Sequence, residues 1–139
     1  MAHELDDHWT LFFAADDGSG NYDPMVSGSL FLKIGQNGNV DRMVSRHDPG
    51  DGSTPTELDG KVMSIGTGYR VRLFEHLIVG GAKLRRPLIG GLIARINGQL
   101  IMGGTLLRDQ PEKTPPRARG KKGAATAGQE EGTWVATKP

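Results

Sequence analysis

Tyr69-Arg70-Val71-Arg72-Leu73-Phe74-Glu75-His76-Leu77-Ile78-Val79 is the longest stretch between Gly18 and Gly128 that holds neither glycine nor proline. It matches one average helix in length, and everything around it is broken more often. Each interior glycine costs a helix about 1 kcal/mol and each proline about 3, so 21 glycines and 8 prolines in 139 residues leave no room for a helical bundle. The stretch itself is rich in Tyr, Val, Phe and Ile, which favour strand. Alternation then places Tyr69, Val71, Leu73, Glu75, Leu77 and Val79 on one face, and Arg70, Arg72, Phe74, His76 and Ile78 on the other.

Working outward, seven further segments read as strands separated by turn formers: His8–Ala15, Val26–Gly35, Val40–Arg46, Lys61–Gly66, Leu88–Ile96, Gln99–Leu107 and Thr133–Lys138. Asn37-Gly38 and Asn97-Gly98 each sit between strand-like runs, where Asn-Gly tolerates the positive φ of a two-residue hairpin turn. Asp16–Pro24 and His47–Asp59 read as polar loops, and Arg108–Gly132 as a long loop before the last strand. The length suits one domain over residues 1–139. The expected fold is all-β, an antiparallel up-and-down closed barrel of about eight strands.

A two-residue turn at Asn97-Gly98 pairs Ile96 with Gln99 and Ala94 with Ile101, and, continued regularly, Leu92 with Gly103 and Gly91 with Gly104. Both faces of this ribbon are then largely apolar. That predicts cover on both sides, by the barrel interior and by a second subunit, so a homo-oligomer through the Leu88–Leu107 hairpin is expected. The glycines at 90, 91, 103 and 104 are read as permitting the sharp coiling that closes a small barrel.

Asp7-His8-Trp9 opens the first strand, and Gly132-Thr133-Trp134-Val135-Ala136-Thr137-Lys138 forms a last strand able to close beside it. This layout resembles the calycin type of barrel, the group that includes lipocalins and avidins. The lipocalin signature has glycine two positions before the tryptophan, where Asp7 stands, and a late arginine over that tryptophan, for which Lys138 is the candidate. The resemblance implies a ligand-sized interior. Trp9, Tyr69, Leu73, Glu75 and Trp134 are the expected ligand-binding residues.

Glu75 interrupts an apolar row. Inside a barrel such a carboxylate binds a hydroxyl or cationic group, or serves as a general acid or base, and it is the one catalytic candidate. Outside, on a bulge, it is inert; with a buried partner such as Arg95 it is architectural. Three functions are therefore expected in order: a barrel that binds a small apolar molecule, an enzyme that cyclises or isomerises an apolar substrate in the same cavity, and a structural oligomer without ligand.

Other chemistries find no support in the sequence. His3, His8, His47 and His76 lack the spacing that aims two imidazoles at one ion, and there is no cysteine, so no metal and no cofactor is called for. The Asp17–Asp23 loop starts like a calcium loop, but Tyr22 stands where the sixth-position glycine belongs. Gly66-Thr67-Gly68 leads into a strand, which leaves no helix N-terminus for a phosphate. With 17 basic and 16 acidic residues there is no global field for nucleic acid, and the basic run from Arg117 to Lys122 reads as solvated linker. Arginines interrupt the most apolar third, so no membrane span is expected. The acidic start and the lack of cysteine point to a cytoplasmic setting.

Overall fold

The computed structural model of the chain describes residues 3–15, 25–111 and 130–139. Its strands in chain order are β1 (Asp7–Ala15), β2 (Met25–Leu32), β3 (Asn39–Val40), β4 (Arg46–Asp48), β5 (Thr56–Ile65), β6 (Gly68–Val79), β7 (Ala82–Ile96), β8 (Gln99–Leu107), β9 (Gln110–Pro111) and β10 (Glu130–Lys138). Eight of them close a ring in which β1, β2, β4, β5, β6, β7, β8 and β10 follow one another and β10 returns to β1. Every pairing is antiparallel. Ring order equals chain order, which makes the fold an up-and-down closed barrel, as the strand pattern predicts. β3 and β9 are short additions alongside β5 and β7. Among the described residues no helix is long and apolar enough to cross a membrane. The Asp17–Asp23 loop and the basic run lie outside the described residues, as does most of the Arg108–Gly132 loop.

Three local expectations are corrected. Val40–Arg46 is not one strand: after β3 the chain turns at Asp41, whose carboxylate accepts the Met43 N–H at 2.9 Å while its carbonyl accepts the Ser45 N–H at 2.8 Å. An aspartate that satisfies its own backbone neighbours competes with the sheet ladder. The His47–Asp59 segment is not all loop either, since β4 and the first residues of β5 pair across it, His47 opposite Thr56. The Asn37-Gly38 turn has the required positive φ, 67° and 78°, yet it sits in a longer connection closed by an Ile34–Val40 bridge. By contrast Asn97-Gly98 is a two-residue turn, with φ of 51° and 81° and Ile96 opposite Gln99.

The β7–β8 hairpin departs from the regular register. A bulge at Ile93 pairs Leu92 with Met102, Gly91 with Gly103 and Gly90 with Gly104. One extra residue flips every side chain beyond it. The slip gathers Leu88, Leu100, Met102 and Leu106 on the buried side and leaves Ile93 exposed. The ribbon is therefore far less two-faced than a regular register implies. The glycine pairs sit where strands crowd: a methyl at Gly90 or Gly104 would run into the carbonyl oxygen of Gly103 or Ile89.

Inside, Leu11, Leu30, Leu73, Met102 and Ala136 have no exposed surface, and side chains fill the middle of the barrel. One end is plugged by residues 3–6. Leu5 is fully buried there, its carbonyl accepts the Trp9 indole N–H at 3.0 Å, and Asp6 accepts the Ile34 N–H at 2.7 Å. Lys138 Nζ donates to the carbonyls of Glu4 and Asp6. Arg95 and Tyr69 both reach Glu4, and so tie the plug to β7 and β6.

Candidate functional site

At the end away from the plug, β4, β5, β6 and β7 bring a set of polar side chains together. On β6 the alternating row Val71, Leu73, Glu75 faces inward, and Glu75 is 4% exposed. The ladder sets its neighbours: Leu58 and Arg86 stand opposite Glu75, and Thr56, two residues before Leu58, points the same way. Thr56 in turn pairs with His47. Glu75 Oε2 accepts a hydrogen bond from His47 Nδ1 at 2.6 Å and another from the Thr56 hydroxyl at 2.7 Å. Oε1 has no hydrogen-bond partner among the described residues. The Phe13 ring meets the His47 ring edge-on at 5.9 Å, and Arg86 donates to Asp109 at 2.8 Å.

Burial pushes the Glu75 carboxyl up. The hydrogen bond and charge of His47, then the Thr56 hydroxyl and the Arg86 charge, outweigh it and hold the group below its ordinary value of 4.5. An ionised carboxylate only accepts, so His47 Nδ1 carries the shared proton and the imidazole is fixed in orientation. What remains is one buried anionic oxygen with no hydrogen-bond partner among the described residues. Such an atom is suited to a hydroxyl or N–H donor on a bound molecule.

The residues expected from sequence lie along the barrel interior from one end to the other. Glu75 and Leu73 are neighbours on the inward row of β6, and Trp134 is buried on β10, its indole facing the Ile89 carbonyl at 3.4 Å. Trp9 and Tyr69 lie at the plugged end. Trp9, Leu73 and Trp134 belong to one buried core cluster, with Tyr69 packed against it, while Glu75 caps the inward row of β6 at the other end. Arg95, the partner considered for Glu75, stands at the plugged end against Glu4, and the partner is His47 instead. His76 points to the outer face and pairs with Asp59 at 3.0 Å, as alternation requires.

His47, Thr56, Arg86 and Asp109 were not legible as site residues. His47 and Thr56 flank a Pro/Gly/Asp-rich connection that hides two strand ends, and only the β4–β5 pairing makes them neighbours. The signal in the sequence is the alternation of β6, which puts Glu75 on one face with Val71 and Leu73, and the closed barrel makes that face the inner one. Comparison with protein families, with curated proteins and with solved structures yields no match. Fold and site together define a closed eight-stranded antiparallel barrel with one plugged end and a buried His–Glu pair at the other.

Proposed function

We propose that the chain is a calycin-like binding barrel that takes a largely apolar small molecule at the Glu75 end and holds it by a single hydrogen-bond donor. The observation that carries this reading is Glu75 Oε1, a buried anionic oxygen without a partner among the described residues. The filled middle moves the ligand's place from the deep interior to the end beside Phe13, His47 and Glu75. Two features support the calycin likeness. Asp7 has φ of 97°, at the position where the lipocalin signature has glycine, and Lys138 lies over the plug where that family has arginine. The lack of cysteine favours a cytoplasmic setting.

A matched pair of probes tests the reading. 2-Naphthol offers an apolar body with one donor, and 2-methoxynaphthalene has the same body with none. A hydrogen bond to a buried charge is worth about 1.5–3 kcal/mol, so the naphthol is expected to bind about ten- to a hundredfold more tightly in fluorescence titration. Glu75→Gln should erase most of that ratio. Equal affinity for the two probes, or no binding of either, refutes the proposal.

The filled middle also favours a second reading, a structural barrel that self-associates without ligand through the outer face near the β7–β8 hairpin. Ile93, Ile96, Met63 and Ile65 are exposed on the protomer. Monomeric behaviour in solution would remove this second reading.

A further inference from the structure

Outside the barrel, a pocket of about 550 Å³ opens between the start of β5 and the β6–β7 hairpin. That volume lies within the range of small-molecule sites. Its apolar wall is Pro55, Leu77 and Ile78, and Ile78 is 75% exposed although its neighbours on both sides are ordered strand. Its polar rim is Arg42, His76 and Lys83, with Glu57 as the one acid. Arg42 is bonded to Glu57 at 2.8 Å, and the His76 ring lies 3.0 Å from the Asp59 carboxylate. Lys83, opposite Ile78 on the β6–β7 ladder, lines the same rim and makes no ion pair among the described residues.

We propose that this pocket is a second binding site, distinct from the Glu75 end, for a small organic anion with an apolar body. The apolar part lies on Pro55, Leu77 and Ile78, and the anionic group meets Lys83 at the rim with the Arg42–Glu57 pair opposite. Two features set the class. An uncharged apolar ligand would leave Lys83 and the paired charges beside it partly desolvated without compensation, and a cation would face Lys83 at close range.

The site shares one wall residue with the interior, Thr56, whose hydroxyl is committed to Glu75. The two sites are separable by mapping. 2-Naphthoate and 2-naphthylmethylammonium serve as probes of equal size and opposite charge, titrated into the full chain and followed by methyl and amide NMR. The naphthoate is expected to shift Ile78, Thr54 and Lys83 and to leave Phe13 and Leu106 in place, with the ammonium binding several-fold more weakly. Lys83→Glu should weaken naphthoate about fivefold, the loss expected of one partly exposed ion pair, and reverse the preference between the probes. Lys83→Arg should keep it. Equal affinity for both probes, an unchanged preference in Lys83→Glu, or shifts confined to Phe13 and Leu106 would each overturn the proposal. The last outcome leaves the Glu75 reading standing, so the two fail separately.

Discussion

Glu75 is held by two donors on one oxygen, and this makes its removal a matter of both stability and binding. Glu75→Gln keeps an acceptor but loses the charge that orients His47, so a cost of about 1–3 kcal/mol in chemical denaturation at pH 7 is expected. A variant as stable as the wild type would show that the His47 contact contributes nothing. The same carboxylate sets a pH dependence. Its folded pKa lies below the ordinary 4.5, and that of Asp6 below 3.8, where burial pushes up but the Ile34 and His3 N–H groups and Lys33 pull down further. Both groups hold more protons unfolded than folded in this range, so their stabilisation is present above the ordinary values and lost as the pH falls through the folded ones. The melting temperature should drop below about pH 4.5, and the drop should be shallower in Glu75→Gln. A further test concerns Asp7, whose φ of 97° is strained for any residue with a Cβ. Asp7→Gly is expected to hold or raise the melting temperature, whereas Asp7→Val should lower it.

At the scale of elements, the β7–β8–β10 seam depends on close backbone approach. Gly104 faces Gly90 on one side and Trp134 on the other, and a methyl there meets the Ile89 carbonyl, which is backbone and cannot swing aside. Gly104→Ala should cost more than about 2 kcal/mol or prevent folding, well beyond the usual strand penalty. The plug is the other element with a direct test. Lys138 donates to two of its carbonyls, and Lys138→Met retains the stem while removing both bonds. Amides of residues 4–6 should then exchange faster in hydrogen-exchange measurements while those of β6 stay protected. Unchanged exchange at the plug would show that Leu5 and Asp6 suffice to hold it.

For the whole molecule, the exposed outer apolar face near the β7–β8 hairpin predicts self-association as part of the second functional reading. Sedimentation at micromolar concentration is expected to show a species heavier than 14.9 kDa, with Ile93→Glu returning the protein toward the monomer. The class of fold was legible before any coordinates. The spacing of glycine and proline excluded long helices, the alternation of Tyr69–Val79 sorted its side chains into two faces, and Asn97-Gly98 set its own turn, because each is a property of a few adjacent residues. Tertiary structure decided what depends on distant pairing. The bulge at Ile93 puts Leu88 on the buried face with Leu100, Met102 and Leu106 and leaves Ile93 outside, a choice between registers that needs the closed barrel. His47 becomes the partner of Glu75 only once β4 and β5 pair across a loop that reads as unstructured, 28 residues apart in sequence. Local composition sets the element types, while the identity of a buried partner follows from ring closure, where burial energy selects among registers that local pattern leaves equal.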